Sequence, residues 1–241
     1  MLDGARGRKS NRAMVEQPGL HRKTLPIGEG SDREILAAGR APPQNDASLI
    51  TPTDGASMRR QLDMLAGYNA WVNRRLYGAA ARLSEAQYRT DHGAFFGSLH
   101  GTLNHLLVGD RIWMQRFTGK GDAPARLDEI LYEDFATLDE ARQREDRRII
   151  DYIRGLSEAD LAGTLRYRTT RSPVEIEQEL TPLLIHFFNH QTHHRGQAHG
   201  ILTHITGEAP SFDLLIYQRE TGIGIREGQG GDFSAPETRG S

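Results

Sequence analysis

The sequence predicts an all-α protein: a four-helix bundle with a short extra helix at its C-terminal end and a small β-hairpin before the last long helix. Three observations predict it. Four long segments place apolar residues at three- and four-residue steps. Clusters containing Gly or Pro separate several of them. Strict apolar–polar alternation is confined to one short stretch.

The first helix covers 57–82, with Leu62, Leu65, Tyr68, Ala70, Val72 and Leu76 on its inner side. Ser84 followed by Gln87 has the form of a capping box and opens a short turn. The second helix covers 94–118 and carries Leu99, Leu103, Leu106, Asp110, Trp113 and Phe117 along one stripe, with Gly119 and Gly121 as its stop. A connection over 122–135 contains Pro124. The third helix, 136–156, is charged outside and turns Leu138, Ile149, Ile150, Ile153 and Leu156 inward. Thr164 to Thr170 alternates and reads as a strand, and Val174 to Leu180 pairs with it as a hairpin. Thr181, with Pro182 at the first helical position, opens the fourth helix, which runs to about Thr206 before Gly207 and Pro210. A fifth, short helix follows over 211–221. Trp71 and Trp113 are expected as core anchors, as aromatics at helical spacing usually are.

Composition bounds the rest. The chain has 241 residues, 37% of them hydrophobic, and 26 glycines, so part of it is expected not to pack. Residues 1–56 are rich in Gly, Pro, Arg, Asn and Ser and bury too little apolar surface to offset their ordering entropy. They read as a disordered extension, 57–222 as the helical domain, and 223–241 as a flexible tail. Met58 stands just before the first periodic segment, so a translation start there would account for the extension. A net charge of −2 argues against a nucleic-acid partner held by a strong positive field. No apolar run is long enough to span a bilayer, and the N-terminus has no hydrophobic signal core, which makes the cytoplasm the default location. Without cysteine, any metal must be held by His, Asp or Glu.

The run from His186 to Gln197 carries the chemistry. It holds His186, His190, His193 and His194 within nine positions. With His186 set at zero and about 100° per residue, Leu183, Phe187, Ala198, Ile201 and Ile205 centre the apolar face at roughly 60–120°. His190 falls near roughly 40° and His194 near roughly 80°, inside that arc, with Gln197, His186 and His193 at its margin. Two buried imidazoles one turn apart lose solvation and polar partners unless something replaces them. A metal ion does so by taking a lone pair from each. The competing explanation is a pair of core histidines bonded to backbone or carboxylates. The run is similar to the zinc-protease H-E-x-x-H, but Gln191 stands where the Glu would be and cannot act as a general base, which disfavours a protease of that type. A third ligand must come from elsewhere, from His92, His100 or His105, and the stripe of the second helix does not choose among them.

Three stretches carry a resemblance: Tyr68 to Tyr77 (YNAWVNRRLY), Gly101 to Trp113 (GTLNHLLVGDRIW) and Asn189 to Gln197 (NHQTHHRGQ). In this order and spacing they resemble the DinB/YfiT family of bacterial metal-binding helical bundles, across roughly residues 57–221. The resemblance implies a four-helix bundle, often a homodimer. It implies a metal triad of one histidine from the second helix and an i, i+4 pair from the later one, here His105, His190 and His194. It also implies relatives that act as thiol-dependent transferases with a low-molecular-weight thiol as cosubstrate, and others that act as hydrolases or isomerases. The long N-terminal extension departs from the family pattern.

Three imidazoles leave an ion such as Zn²⁺ or Ni²⁺ with open positions, which a catalytic site keeps and a structural site closes. Asp110, on an otherwise apolar stripe, wants a partner: a ligand imidazole, or Arg74 or Arg111 in an ion pair. Gln197 is placed to orient water or substrate, or to cap a backbone group. Arg195 points away from the histidine pair, to the surface or a dimer contact. Two functions compete. One is a metal-dependent enzyme on a small molecule, of thiol-transferase or hydrolase type. The other is a noncatalytic metal-binding or stress-related interaction protein, its site closed by a fourth ligand such as His186 or His193. A helical dimer without metal is the third reading.

Overall fold

The structure, a computed structural model, describes residues 55–169 and 174–225. The chain divides after Thr51 into two units, and every described residue lies in the second. The expected disordered extension, except residues 55 and 56, and the expected tail, except residues 223–225, therefore lie outside the described residues. The described part is mostly helical, with one two-stranded antiparallel sheet.

The elements are α1 (Gly55–Ala80), α2 (Glu85–Arg89), α3 (Leu99–Thr118), α4 (Phe135–Gly155), α5 (Glu158–Leu161), β1 (Thr164–Arg168), β2 (Glu175–Glu179), α6 (Leu180–Thr206) and α7 (Leu214–Thr221). The four long helices close a ring: α1 packs on α4 and α6, and α3 packs on the same two. Leu62, Ile149, Leu184 and Phe187 fill one end of this core, and Leu76, Leu103, Leu138 and Leu202 the other. Each such side chain stabilises the fold by about 2 kcal/mol through burial. The short α7 folds back on α1, where Tyr217 packs against Tyr68 and Trp71, with ring centroids 5.9 and 5.7 Å away. Trp71 is buried as expected, whereas Trp113 is only half-buried.

Most departures from the expected boundaries lie at helix starts, where capping decides. Helix α3 begins at Leu99 and not at 94, because Ser98 accepts from the Gly101 N–H and residues 94–97 form a tight turn with Gly97 at φ +73°. Asp213 caps α7 and shortens it to start at Leu214. Pro182 is the third helical residue and not the first, since Glu179 is the N-cap; its missing N–H is still one of the four that have no intrahelical partner. Helix α5 was not expected, although Ser157 and Asp160 form the reciprocal capping box that marks it. The hairpin forms as expected, pairing Thr164 with Glu179 and Arg168 with Glu175. No helix among the described residues is long and apolar enough to cross a membrane.

Candidate metal centre

Helix α6 presents His190 and His194 one turn apart, and α3 presents His105 toward them. The Nε2 atom of His194 lies 3.1 Å from that of His105 and 3.1 Å from that of His190. One ligand atom from each of the three falls within 4.8 Å of the others. Ligands about 2.0 Å from a tetrahedral zinc ion stand roughly 3.3 Å apart, so the spacing fits a shared ion. Three neutral imidazoles supply three lone pairs here and too few protons to satisfy one another.

The far side of each ring shows how it is aimed. His105 Nδ1 donates to the Leu127 carbonyl at 2.7 Å, which leaves Nε2 as the free lone pair. Leu127 lies in the 119–134 connection, and buried Asn104 holds that connection in place. Its side-chain oxygen accepts from the N–H groups of Leu131 and Tyr132 at 2.9 and 3.0 Å. His194 Nδ1 donates to the Gln197 side-chain oxygen at 2.8 Å. His190 Nδ1 is buried without a hydrogen-bond partner among the described residues. That ring is admitted by Gly109, where a Cβ would come within 2.9 Å of the His190 Cε1. Phe96 stacks on His105 with centroids 3.7 Å apart and meets His194 edge-on, walling one side of the triad. Gly101 lets the Phe96 turn sit this close, because a side chain there would strike the Phe96 carbonyl.

Burial lowers the basicity of all three rings. It pulls His105 down to about 4 and His190 to about 3, helped by the neighbouring imidazoles, and lowers His194 as well. All three are therefore neutral near pH 7, the form that binds a metal.

The other expected residues are placed as follows. His100 is buried against the Tyr132 carbonyl at 3.0 Å and edge-on to Tyr88, and His92 sits beside His204; neither reaches the triad. His186 is exposed, its ring 6.1 Å from that of His190 and edge-on to Trp113. His193 is exposed and bonded to the Gln197 amide at 3.2 Å. The group that could hold an ion has three members, and no fourth described His, Asp or Glu joins it. Gln197 accepts from His194 and meets His193, so its hydrogen bonds among the described residues go to side chains and not to a backbone group.

Asp110 touches no ligand imidazole. Its partner is neither Arg74 nor Arg111 but Arg142, from α4, at 2.5 Å, with the Gln191 amide donating to its other oxygen. Arg142 also meets Asp146 at 3.0 Å, and Asn69 and Asn73 donate to the same carboxylate. Arg195 does turn away from the histidines, but it is buried and not on the surface: it donates to Asn69 and lies over the Tyr68 ring. Burial pushes the Asp110 carboxyl up to about 7 against the pull of Arg142, and pushes Arg195 down to about 10. Gln191 is thus bonded within the core to Asp110 and the Leu106 carbonyl, away from the triad. Gly109 and Asn104 went unassigned in the sequence, although both lie inside the stretch that carries the resemblance.

The DinB family matches residues 58–229, most of the chain. The chain belongs to the DinB family. Among its relatives, Protein DinB of Bacillus subtilis (strain 168) is 27% identical over 158 residues, which covers 62% of this chain and 89% of that protein. Membership in the DinB family and the convergent histidines together fit a metal-binding protein.

Proposed function

We propose that this DinB-family protein is a four-helix-bundle metalloprotein that holds Zn²⁺ or Ni²⁺ on the Nε2 atoms of His105, His190 and His194 and acts on a small molecule, as a thiol-dependent transferase or a hydrolase. One observation carries the reading: three Nε2 atoms converge while the Nδ1 atoms of two of the rings are spent on fixed outward acceptors. The ring closed by α1, α4, α3 and α6 supports the bundle. A bound divalent ion would supply Lewis acidity, lowering the pKa of bound water to near 7 or holding a bound thiol as its thiolate.

The protein's own residues do the rest. Leu127 and Gln197 fix the tautomers of His105 and His194, Gly109 leaves room for the His190 ring, and Phe96 excludes water from one flank. The absence of a fourth ligand among the described residues supports a site with room for substrate.

The test is metal analysis of the purified protein after expression in metal-replete medium. The reading expects about one ion per chain in the wild type and loss of it in His190→Ala. A wild type without metal removes the proposal. Loaded protein is then assayed with a panel of cellular thiols and electrophiles. Turnover that disappears with the ion supports the enzyme, and silence across the panel favours a noncatalytic metal-binding protein.

A further inference from the structure

A second site lies beyond the triad. Between the C-terminal half of α3 and the hairpin is a pocket of about 480 Å³, lined by Ile112, Gln115, Arg116, Tyr167, Arg168 and Pro124 among others. That volume suits a small molecule. The Arg116 guanidinium lies 4.7 Å from the Trp113 ring centroid and 5.2 Å from that of Tyr167, against a pair of rings that touch each other with centroids 5.6 Å apart. Arg116 is half-buried, and none of the described carboxylates pairs with it. The neighbouring Arg166 differs. Arg166 is paired with Glu177 at 3.0 Å, and Arg168 stands across the ladder from Glu175, which also lines the pocket.

A partly desolvated guanidinium without a counter-charge is costly, and a planar fork packed against aromatic rings keeps N–H donors for two parallel hydrogen bonds to an oxyanion. We propose that this pocket binds a small anion, through a carboxylate or phosphate group, with Arg116 as the cation that recognises it. Gln115 lies beside Arg116 and offers an amide donor. The aromatic pair fixes the guanidinium before the ligand arrives, so little side-chain entropy is lost on binding. Trp113 touches Arg116, which makes it a reporter of the pocket. The proposal does not depend on a metal at the triad.

The experiment follows intrinsic tryptophan fluorescence of the full chain while succinate, inorganic phosphate or the neutral analogue succinamide is added. The expected result is a saturable change with at least one anion and none with succinamide. The anion that saturates at the lower concentration identifies the head group. Arg116→Met is expected to weaken binding at least tenfold, and His190→Ala to leave it unchanged. No saturation with either anion, or equal binding by Arg116→Met, overturns the proposal. Binding that survives Arg116→Met but vanishes in His190→Ala also overturns it, since the anion then sits at the triad. Should Arg116→Met lose its helical circular dichroism, Arg116→Lys takes its place: the charge remains and the fork is lost. A several-fold weakening is expected of that variant, and unchanged affinity overturns the assignment.

Discussion

Two buried polar clusters share α3 and α6, one residue out of step. Gly109, His190 and His194 belong to the triad side, and the next residues along, Asp110, Gln191 and Arg195, belong to the other cluster. A step of one residue turns a helix by about 100°, so each neighbouring pair serves two different faces. In the second cluster opposite charges meet: Asp110 and Asp146 against Arg142, with Arg195 bonded through Asn69. At the triad no described carboxylate joins the histidines, and three lone pairs face a common centre. A cluster that cancels its own charge needs no ligand and fixes how helices pack. A cluster of neutral rings whose lone pairs face one centre lacks an internal partner for them, the gap a bound cation would fill. The difference separates scaffold from site within one core.

The sharpest way to break the comparison is to remove the cation from the self-cancelling side. Arg142→Met leaves two carboxylates buried without their partner, Asp110 being fully buried. Stripping one member of such a pair costs about 3–5 kcal/mol. Urea unfolding followed by helical circular dichroism is expected to show that loss with and without metal. A loss below about 1 kcal/mol would mean that the network contributes little to stability.

On the triad side the metal-stripped protein is expected to respond to pH. The unfolded chain binds protons near pH 6.5, while folded His105 and His190 resist until about 4 and about 3. Between those values the unfolded state holds more protons, so stability falls as pH drops from about 6.5 toward 4. Asp110 acts in the opposite sense, since burial raises its folded pKa to about 7. The informative quantity is therefore the difference between wild type and His190→Gln, whose stability is expected to fall less across the same window. Identical slopes would mean that His190 does not titrate with folding.

Much of this contrast was legible in the sequence, and the illegible part has physical causes. His190 and His194 could be chosen by angle because α6 keeps an exposed side, so its apolar arc has edges. Helix α3 has almost none: from Leu99 to Asp110 all residues but Gly101 are buried, by neighbouring helices, the 91–98 turn and the 119–134 connection. Periodicity cannot pick one histidine on a helix covered on every side, and only the family resemblance pointed to His105. Asp110 was readable as half of an ion pair, yet Arg142 was not readable as the other half. Helix α4 looks uniformly charged outside. The available signal was that Arg142, Glu145 and Asp146 fall at helical steps between buried Leu138 and Ile149. Capping at Ser98 and Asp213 was readable by residue type, but periodicity overran both starts.

Gly109→Ala sharpens the comparison because its two effects have opposite signs. Alanine favours a helix interior over glycine by about 1 kcal/mol, so the metal-free protein is expected to be equally or slightly more stable. The added Cβ would press the His190 ring at Cε1, and the ring moves more easily than the backbone, turning Nε2 away from its partners. Metal affinity, measured by competition with a chelator, is expected to fall by about tenfold or more while thermal stability without metal holds. Unchanged affinity would show that His190 has slack at this contact.

The smallest expected effect belongs to Gln197. Its oxygen accepts from His194 Nδ1 at 2.8 Å, and its amide meets the exposed His193. Neither bond joins separate helices, so Gln197→Ala is expected to change stability by less than about 0.5 kcal/mol. What it removes is the acceptor that holds the His194 proton on Nδ1 and keeps Nε2 free. Losing such an acceptor typically lowers metal affinity by about 10–100-fold, and the lower end is expected here because water can reach the site and replace the amide oxygen. Gln197→Glu restores an acceptor with a negative charge, so its affinity is expected to equal or exceed that of the wild type. If alanine and glutamate lower affinity alike, the role given to the Gln197 oxygen is wrong and the amide contact to His193 is what matters.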